Sequence, residues 1–231
     1  MLGGAEAGDL MLITIFDYGA GNLHSLAKAL ETPGASVRVE PDPVRAVETD
    51  ALVLPGVGAF AQAAERLAPG RDVVRAAIAG GLPTLGICLG MQLLFEESEE
   101  GPGAGLGVIP GAVTRLKARR VPQIGWNEIE DVSAAEPLFA RAPLGVAYFA
   151  NSYACRPAPG HGDEPVTAWA AHEEDRFPAA VRRGGAVGVQ FHPEKSSRAG
   201  VEFVRAFVAE ARNRSAGYGA RRERFGAGTR G

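Results

Sequence analysis

Cysteine is scarce in this 231-residue sequence, occurring only at Cys88 and Cys155. A disulfide-stapled scaffold needs more, and the two share no CxxC or Cys/His ligand spacing, so the chain reads as reduced and without a metal site. Two cysteines still permit one buried disulfide. Neither sign of charge dominates: the net charge of −3 speaks against a dedicated nucleic-acid binder. Lysine is confined to Lys28, Lys117 and Lys195, the remaining basic residues being arginine. No apolar run reaches the length of a membrane span. Met1 to Leu10 carry Glu6 and Asp9 with no basic stretch ahead of an apolar one, so they do not read as a signal peptide.

What is present is the composition of a soluble globular protein, 46% hydrophobic and 22% charged, with a length that suits one substantial domain. The expected organisation is a disordered lead-in over 1–10, a domain over 11–211 and a disordered Arg/Gly-rich tail over 212–231. Met11–Phe16 is a β-branched apolar run ended by Asp17-Tyr-Gly-Ala-Gly21, hence a strand and a Gly-rich turn, with Asn22 capping a helix through Leu30. Strands are expected at Ser36–Glu40, Ala51–Leu54 and Leu82–Ile87, helices at Phe60–Leu67, Asp72–Ala79 and Met91–Glu96. This alternation implies an α/β fold: an open, mostly parallel, flavodoxin-like sheet with helices on both faces. Short strand-like pieces at Ala112–Leu116, Gly145–Tyr153, Val166–Ala170, Ala179–Arg183 and Ala186–Phe191 suggest a mixed or antiparallel C-terminal portion, closed by a helix over Arg198–Ala211.

Gly86-Ile-Cys-Leu-Gly90 has the form of a nucleophile elbow, in which flanking glycines keep a strained strand-to-helix turn free of clashes. The turn sets Cys88 at a helix N-terminus, where free N–H groups favour a thiolate. An isolated GxCxG is more often a buried structural cysteine. A second constellation shifts the balance. Val187–Lys195 ends in His192-Pro-Glu194, and on extended backbone residues two apart face the same side. A carboxylate beside an imidazole fixes its tautomer and stabilises the imidazolium, as a Cys–His–acid triad requires. His24, His161 and His172 read as ordinary hydrogen-bonded histidines.

A thiolate attacking an amide builds charge on oxygen, which backbone N–H groups stabilise by about 3–4 kcal/mol each. Leu89, next after Cys88, offers one such N–H. Pro55-Gly-Val-Gly58 offers another, since its glycines let a peptide plane turn inward; by itself it is equally an ordinary turn after a strand.

Gly86-Ile-Cys-Leu-Gly-Met-Gln92 together with a distant His192-Pro-Glu194 resembles the class I, triad-type glutamine amidotransferases. Asp17–Ser25, Leu54–Phe60, Gly105–Gly111, Val121–Asn127 and His192–Ser196 are similar to the branch serving imidazole glycerol phosphate synthesis in histidine biosynthesis. The resemblance spans Met11 to about Ala211. It implies that Cys88 forms a glutamyl thioester, with His192 as general base and acid and Glu194 orienting it. It implies an oxyanion hole from Val57 and Leu89, and glutamine held by Gln92, Ser152 and Tyr153. Asn22 and Lys195 would face the partner, a separate (β/α)8-barrel cyclase in a cytoplasmic heterodimer, with weak activity in the isolated chain. No cofactor, nucleic acid or membrane is implied. Gln123 and Asn151 stand where that branch often has His. Competing expectations are the glutaminase subunit of another synthase (anthranilate, aminodeoxychorismate or pyridoxal phosphate), a thiol hydrolase acting on a different substrate, and a non-catalytic binding protein on the same scaffold.

Overall fold

The computed structural model describes residues 10–19, 23–160 and 165–226. In chain order the elements are β1 (Met11–Phe16), α1 (His24–Leu30), β2 (Ala35–Glu40), α2 (Pro43–Ala46), β3 (Ala51–Leu54), α3 (Phe60–Leu67), α4 (Arg71–Ala79) and β4 (Thr84–Ile87). They continue with α5 (Leu89–Gln92), β5 (Glu97–Ser98), β6 (Gly111–Arg115), β7 (Gln123–Glu128), α6 (Pro137–Arg141), β8 (Val146–Asn151) and β9 (Tyr153–Pro157). β10 (Val166–His172), β11 (Asp175–Arg183), β12 (Ala186–Val189) and α7 (Ser197–Gly226) complete the chain, with short 3-10 turns at Ala68–Gly70 and Pro193–Lys195.

Seven strands form the main sheet in the order β10-β11-β12-β4-β3-β1-β2. The pairs from β12 to β2 are parallel, while β10–β11 and β11–β12 are antiparallel. The expected mostly parallel α/β sheet with an antiparallel C-terminal portion is therefore what the chain forms. Its central strands are buried along their whole length, because helices cover both faces and every side chain of Ala51–Leu54 and Thr84–Ile87 meets protein. On one face Ile13, Ile15, Val53 and Ile87 pack with Leu26 and Leu30 of α1 and Phe203 and Phe207 of α7. On the other, Phe16, Leu52 and Leu54 meet Phe60, Ala63, Ala64 and Leu67 of α3 and Val74 and Ile78 of α4. Those α3 positions repeat at i, i+3, i+4 and i+7, the apolar stripe of a helix lying on a sheet. Three further strands, β5-β6-β9, and the β7–β8 ribbon form two smaller sheets.

Several expectations are corrected. The helix after Cys88 ends at Gln92 rather than Glu96. Leu94 and Phe95 N–H donate three residues back, to Met91 at 3.0 Å and Gln92 at 3.1 Å, while the Gly105–Ile109 segment takes the carbonyls that follow: Leu106 to Leu93 at 2.7 Å, Ile109 to Leu94 at 3.0 Å and Gly107 to Phe95 at 3.0 Å. A Cβ on Gly105 would stand 2.1 Å from the Phe95 oxygen, so this approach needs glycine. The run Gly145–Tyr153 is two strands broken at Ser152, and Gln123–Glu128 is a strand that the pattern did not suggest. The last helix continues past Ala211 to Gly226, into the stretch expected to be disordered. Ala, Arg and Glu are good helix formers, and an Arg214–Glu210 bridge of 2.8 Å spans one turn there. Asn22 and His161 lie outside the described residues.

Candidate active site

Three parallel neighbours, β3, β4 and β12, end at one place, the carboxyl edge where α/β sheets bind ligands. Cys88 follows β4 with φ 47° and ψ −103°, a backbone that a side-chain-bearing residue adopts only when its surroundings enforce it. The enforcement is visible. Cys88 N–H donates to the Val189 carbonyl at 2.7 Å, extending the β4–β12 ladder. A Cβ on Gly90 would stand 1.9 Å from the Leu54 oxygen, and one on Gly86 2.6 Å from the Gly90 oxygen. Both glycines of the GxCxG run are thus fixed by close backbone packing. Leu89 opens α5, so its N–H lacks a partner within that helix. Four residues make a weak dipole, and the local N–H groups matter more than the macrodipole here.

His192 is buried beyond the end of β12, its N–H held by the Tyr148 carbonyl at 2.8 Å. Its Nδ1 lies 2.9 Å from Glu194 Oε1, which leaves Nε2 to face Cys88. The expected geometry differed: Glu194 is not on extended backbone but in the Pro193–Lys195 turn, which folds the carboxylate back over the ring. Ser196 locks that turn, donating to the His192 carbonyl at 2.6 Å and accepting from Tyr148 N–H at 2.9 Å. Burial pushes the His192 pKa down, but hydrogen bonds to Cys88 and Glu194, and their charges, outweigh it and raise the pKa from 6.5 to about 9. At neutral pH the ring holds a proton, and that proton is directed at the sulfur.

The Pro55–Gly58 loop closes the site from the β3 side. A Cβ on Gly56 would meet His192 Cε1 at 2.9 Å, and Gly58 has φ 109°. Tyr18, buried at the end of β1, donates its hydroxyl to the Pro55 carbonyl. Burial, then the nearby Cys88 and Asp17, hold the phenol pKa well above 10, so it remains a donor. Leu23, Ser25, Leu26, Pro55, Gly56, Val57, Glu194 and the exposed Lys195 line a cleft of about 190 Å³ on the outer side of this loop.

On the opposite side, buried Gln92 donates to the Tyr153 carbonyl at 3.3 Å, and Asn151 donates to the same oxygen at 3.0 Å. Ser152 lies between β8 and β9 and gives its carbonyl to Leu116 N–H at 2.9 Å. Gln123 and Asn151 are direct cross-strand partners, both buried. Both thiols are free, and Cys155 packs in the core, which closes the disulfide option. Among the described residues no group of three or more His, Cys, Asp or Glu side chains is arranged to hold a metal ion.

Comparison with known proteins decides the family. The model of the class-I glutamine amidotransferases matches residues 14–211. The chain belongs to the class-I glutamine amidotransferase family. Its relatives include the imidazole glycerol phosphate synthase subunit HisH of Leifsonia xyli subsp. xyli, 45% identical over 85% of this chain and 97% of that one. The subunits of the same name from Symbiobacterium thermophilum and from Thermus thermophilus are 48% and 46% identical, covering 83% and 84% of this chain and 91% and 95% of theirs. Solved structures share the fold. A glutamine amidotransferase superposes with a TM-score of 0.65 at 22% identity, covering 86% of this chain and 98% of that one. One from Thermotoga maritima gives 0.58 at 19% identity, covering 91% and 90%.

In this amidotransferase the fold brings Cys88, His192, Glu194, Val57 and Leu89 to one sheet edge, with Gln92, Ser152 and Tyr153 along one flank and Lys195 across the loop. Two close neighbours went unnoticed in sequence. Gln190 places Nε2 3.4 Å from Cys88 Sγ, and Tyr18 holds the Pro55 carbonyl. The signal for Gln190 was available: in a parallel β4–β12 pairing with Ile87 opposite Val189, the next residues are Cys88 and Gln190.

Proposed function

We propose that the chain is the glutamine-hydrolysing subunit of imidazole glycerol phosphate synthase, with Cys88 as nucleophile, His192 as proton carrier and Glu194 as its orienting carboxylate. The observation that carries the assignment of roles is His192, braced by Glu194 at 2.9 Å, facing a cysteine on a strained elbow. With the proton already on the imidazole, the sulfur attacks the side-chain carbonyl carbon of glutamine as thiolate. The C=O electrons move to oxygen, where Val57 and Leu89 N–H groups receive them. As the C–N bond breaks, His192 gives its proton to the leaving nitrogen and ammonia departs, leaving a glutamyl thioester. Neutral His192 then takes a proton from water, hydroxide adds to the thioester, and glutamate leaves with thiolate and imidazolium restored.

Gln92 is tied to the Tyr153 carbonyl at 3.3 Å, on the β8–β9 stretch whose Ala150 carbonyl lies 3.9 Å from the sulfur, and with Ser152 these residues would hold the glutamine backbone. The partner is a (β/α)8-barrel cyclase in a cytoplasmic heterodimer. Its docking face includes Lys195 and the outer side of the β7–β8 ribbon. There Ile124 and Trp126, 67% and 57% exposed, lie on one face at i and i+2, an apolar patch suited to a subunit interface. No helix among the described residues is long and apolar enough to cross a membrane.

The deciding experiment assays imidazole glycerol phosphate formation by the reconstituted complex with glutamine or with ammonium as nitrogen source. Cys88→Ala should abolish the first and spare the second. Loss of both would make Cys88 structural, and failure of the wild-type chain to support either with the cyclase would sink the synthase assignment.

A further inference from the structure

Gln190 presents an anomaly. It is fully buried, its Nε2 lies 3.4 Å from Cys88 Sγ, and its Oε1 has no hydrogen-bond partner. An unpaired buried carbonyl oxygen costs about 1–3 kcal/mol, so a side chain whose one polar contact is a sulfur is poorly chosen for stability. Methionine or leucine would fill the same space without the penalty. We propose that Gln190 is a further catalytic residue: it donates an N–H to the Cys88 thiolate, holding the sulfur charged and aimed before attack. The proposal rests on Cys88 being the nucleophile, as argued above.

The fold makes the contact unavoidable. Gln190 N–H is taken by the Ala179 carbonyl at 2.9 Å and Cys88 N–H by the Val189 carbonyl at 2.7 Å, so the two residues sit side by side past the last parallel pair. Among the described groups that bear on the sulfur, His192 is the cation, Tyr18 and Cys155 are neutral weak acids kept protonated by burial, and the Ala150 carbonyl lies at 3.9 Å. An oxygen cannot stabilise the thiolate. Beside the backbone N–H groups of the elbow, the Gln190 amide is therefore the neutral side-chain donor that shares the charge with His192. When sulfur bonds to carbon its charge passes to the substrate oxygen, and the Gln190 contact reverts to a weak one. The amide itself is neither protonated nor consumed.

The test compares wild type with Gln190→Met and Gln190→Leu in the reconstituted complex. Three quantities are read: alkylation of Cys88 by iodoacetamide against pH, followed by mass spectrometry of its peptide; kcat and KM for glutamine; and the thermal midpoint. Loss of an N–H donor to an anion should move the alkylation profile to higher pH by about one unit, a tenfold loss of thiolate at a given pH below it. kcat/KM should fall by about the same factor, with the thermal midpoint unchanged or raised. Unaltered alkylation and turnover would overturn the proposal. So would a variant that fails to fold or melts well below wild type, since that would make Gln190 a structural residue. An inactive wild-type complex would instead count against the glutaminase reading.

Discussion

Replacing Glu194 by glutamine preserves the shape of its contact with His192 and removes the charge, which isolates what the carboxylate contributes. The two atoms lie 2.9 Å apart and the side chains are only 3% and 9% exposed, so solvent screens little of the interaction. A hydrogen bond between charged partners contributes about 1.5–3 kcal/mol, equivalent to about one to two pKa units. From a wild-type value of about 9, the His192 midpoint should therefore fall to about 7–8. The assay is an NMR titration of the His192 ring in the complex. Turnover supplies a second reading: with the imidazolium less favoured, kcat for glutamine should drop by about 10–100-fold while KM stays within about twofold.

The same shift has a signature in stability, with a definite sign. A histidine whose folded pKa exceeds its unfolded value of 6.5 stabilises the fold fully below pH 6.5, and that contribution disappears as pH rises through about 9. The wild-type contribution is about 3 kcal/mol, and the Glu194→Gln protein should retain only about half of it or less. Urea denaturation should thus show a gap between the two proteins that widens as pH falls from 9 to 6.5. A His192 midpoint within half a unit of wild type, or a gap constant across that window, would refute the electrostatic account and leave Glu194 as packing.

Two further substitutions probe the backbone of the site. Gly90→Ala places a methyl 1.9 Å from the Leu54 oxygen at the buried carboxyl end of β3, and should cost about 3 kcal/mol or more, read as a collapse of the urea midpoint or insoluble expression. Normal stability would mean that the elbow relaxes freely. Tyr18→Phe keeps the edge-to-face contact with Phe16 at 5.8 Å but releases the Pro55 carbonyl. If that tether orients the oxyanion loop, kcat in the complex should fall by about 5–20-fold with alkylation of Cys88 unchanged, because alkylation builds no oxyanion. Equal slowing of both reactions would instead implicate the nucleophile.

Most of the sheet was legible because its strands are short, apolar and bounded by Gly or Pro, and buried parallel strands need little else. Ala51–Leu54 is recovered at both ends. The helix after Cys88 was misread because Leu93, Leu94 and Phe95 are apolar at positions that fit a helix. Their burial in fact serves a segment more than ten residues downstream, which local periodicity does not register. His192 and Glu194 were paired correctly for an incomplete reason. A two-residue spacing suggested extended backbone, whereas a 3-10 turn makes the contact. Gln190 and Tyr18 were missed because their meaning depends on which strands become neighbours. Glutamine and tyrosine next to apolar runs are otherwise ordinary in sequence.

The location of control follows from the proton count. His192, with a pKa of about 9, already holds at neutral pH the proton that the leaving nitrogen needs. What remains to be supplied is stabilisation of the oxygen charge, and one of its two expected donors, Val57, belongs to a loop tethered at its entry by Tyr18. That tether comes from the end of β1. Leu23 and Ser25 share the cleft behind the loop with Val57 and Lys195. Whatever docks against that cleft acts on the loop through its outer wall, several residues from the sulfur, and can alter kcat without touching Cys88. Under the proposed roles, a partner subunit would govern turnover by setting one peptide plane. Cys88, His192 and Glu194 can then stay assembled without hydrolysing glutamine when no acceptor waits for the ammonia.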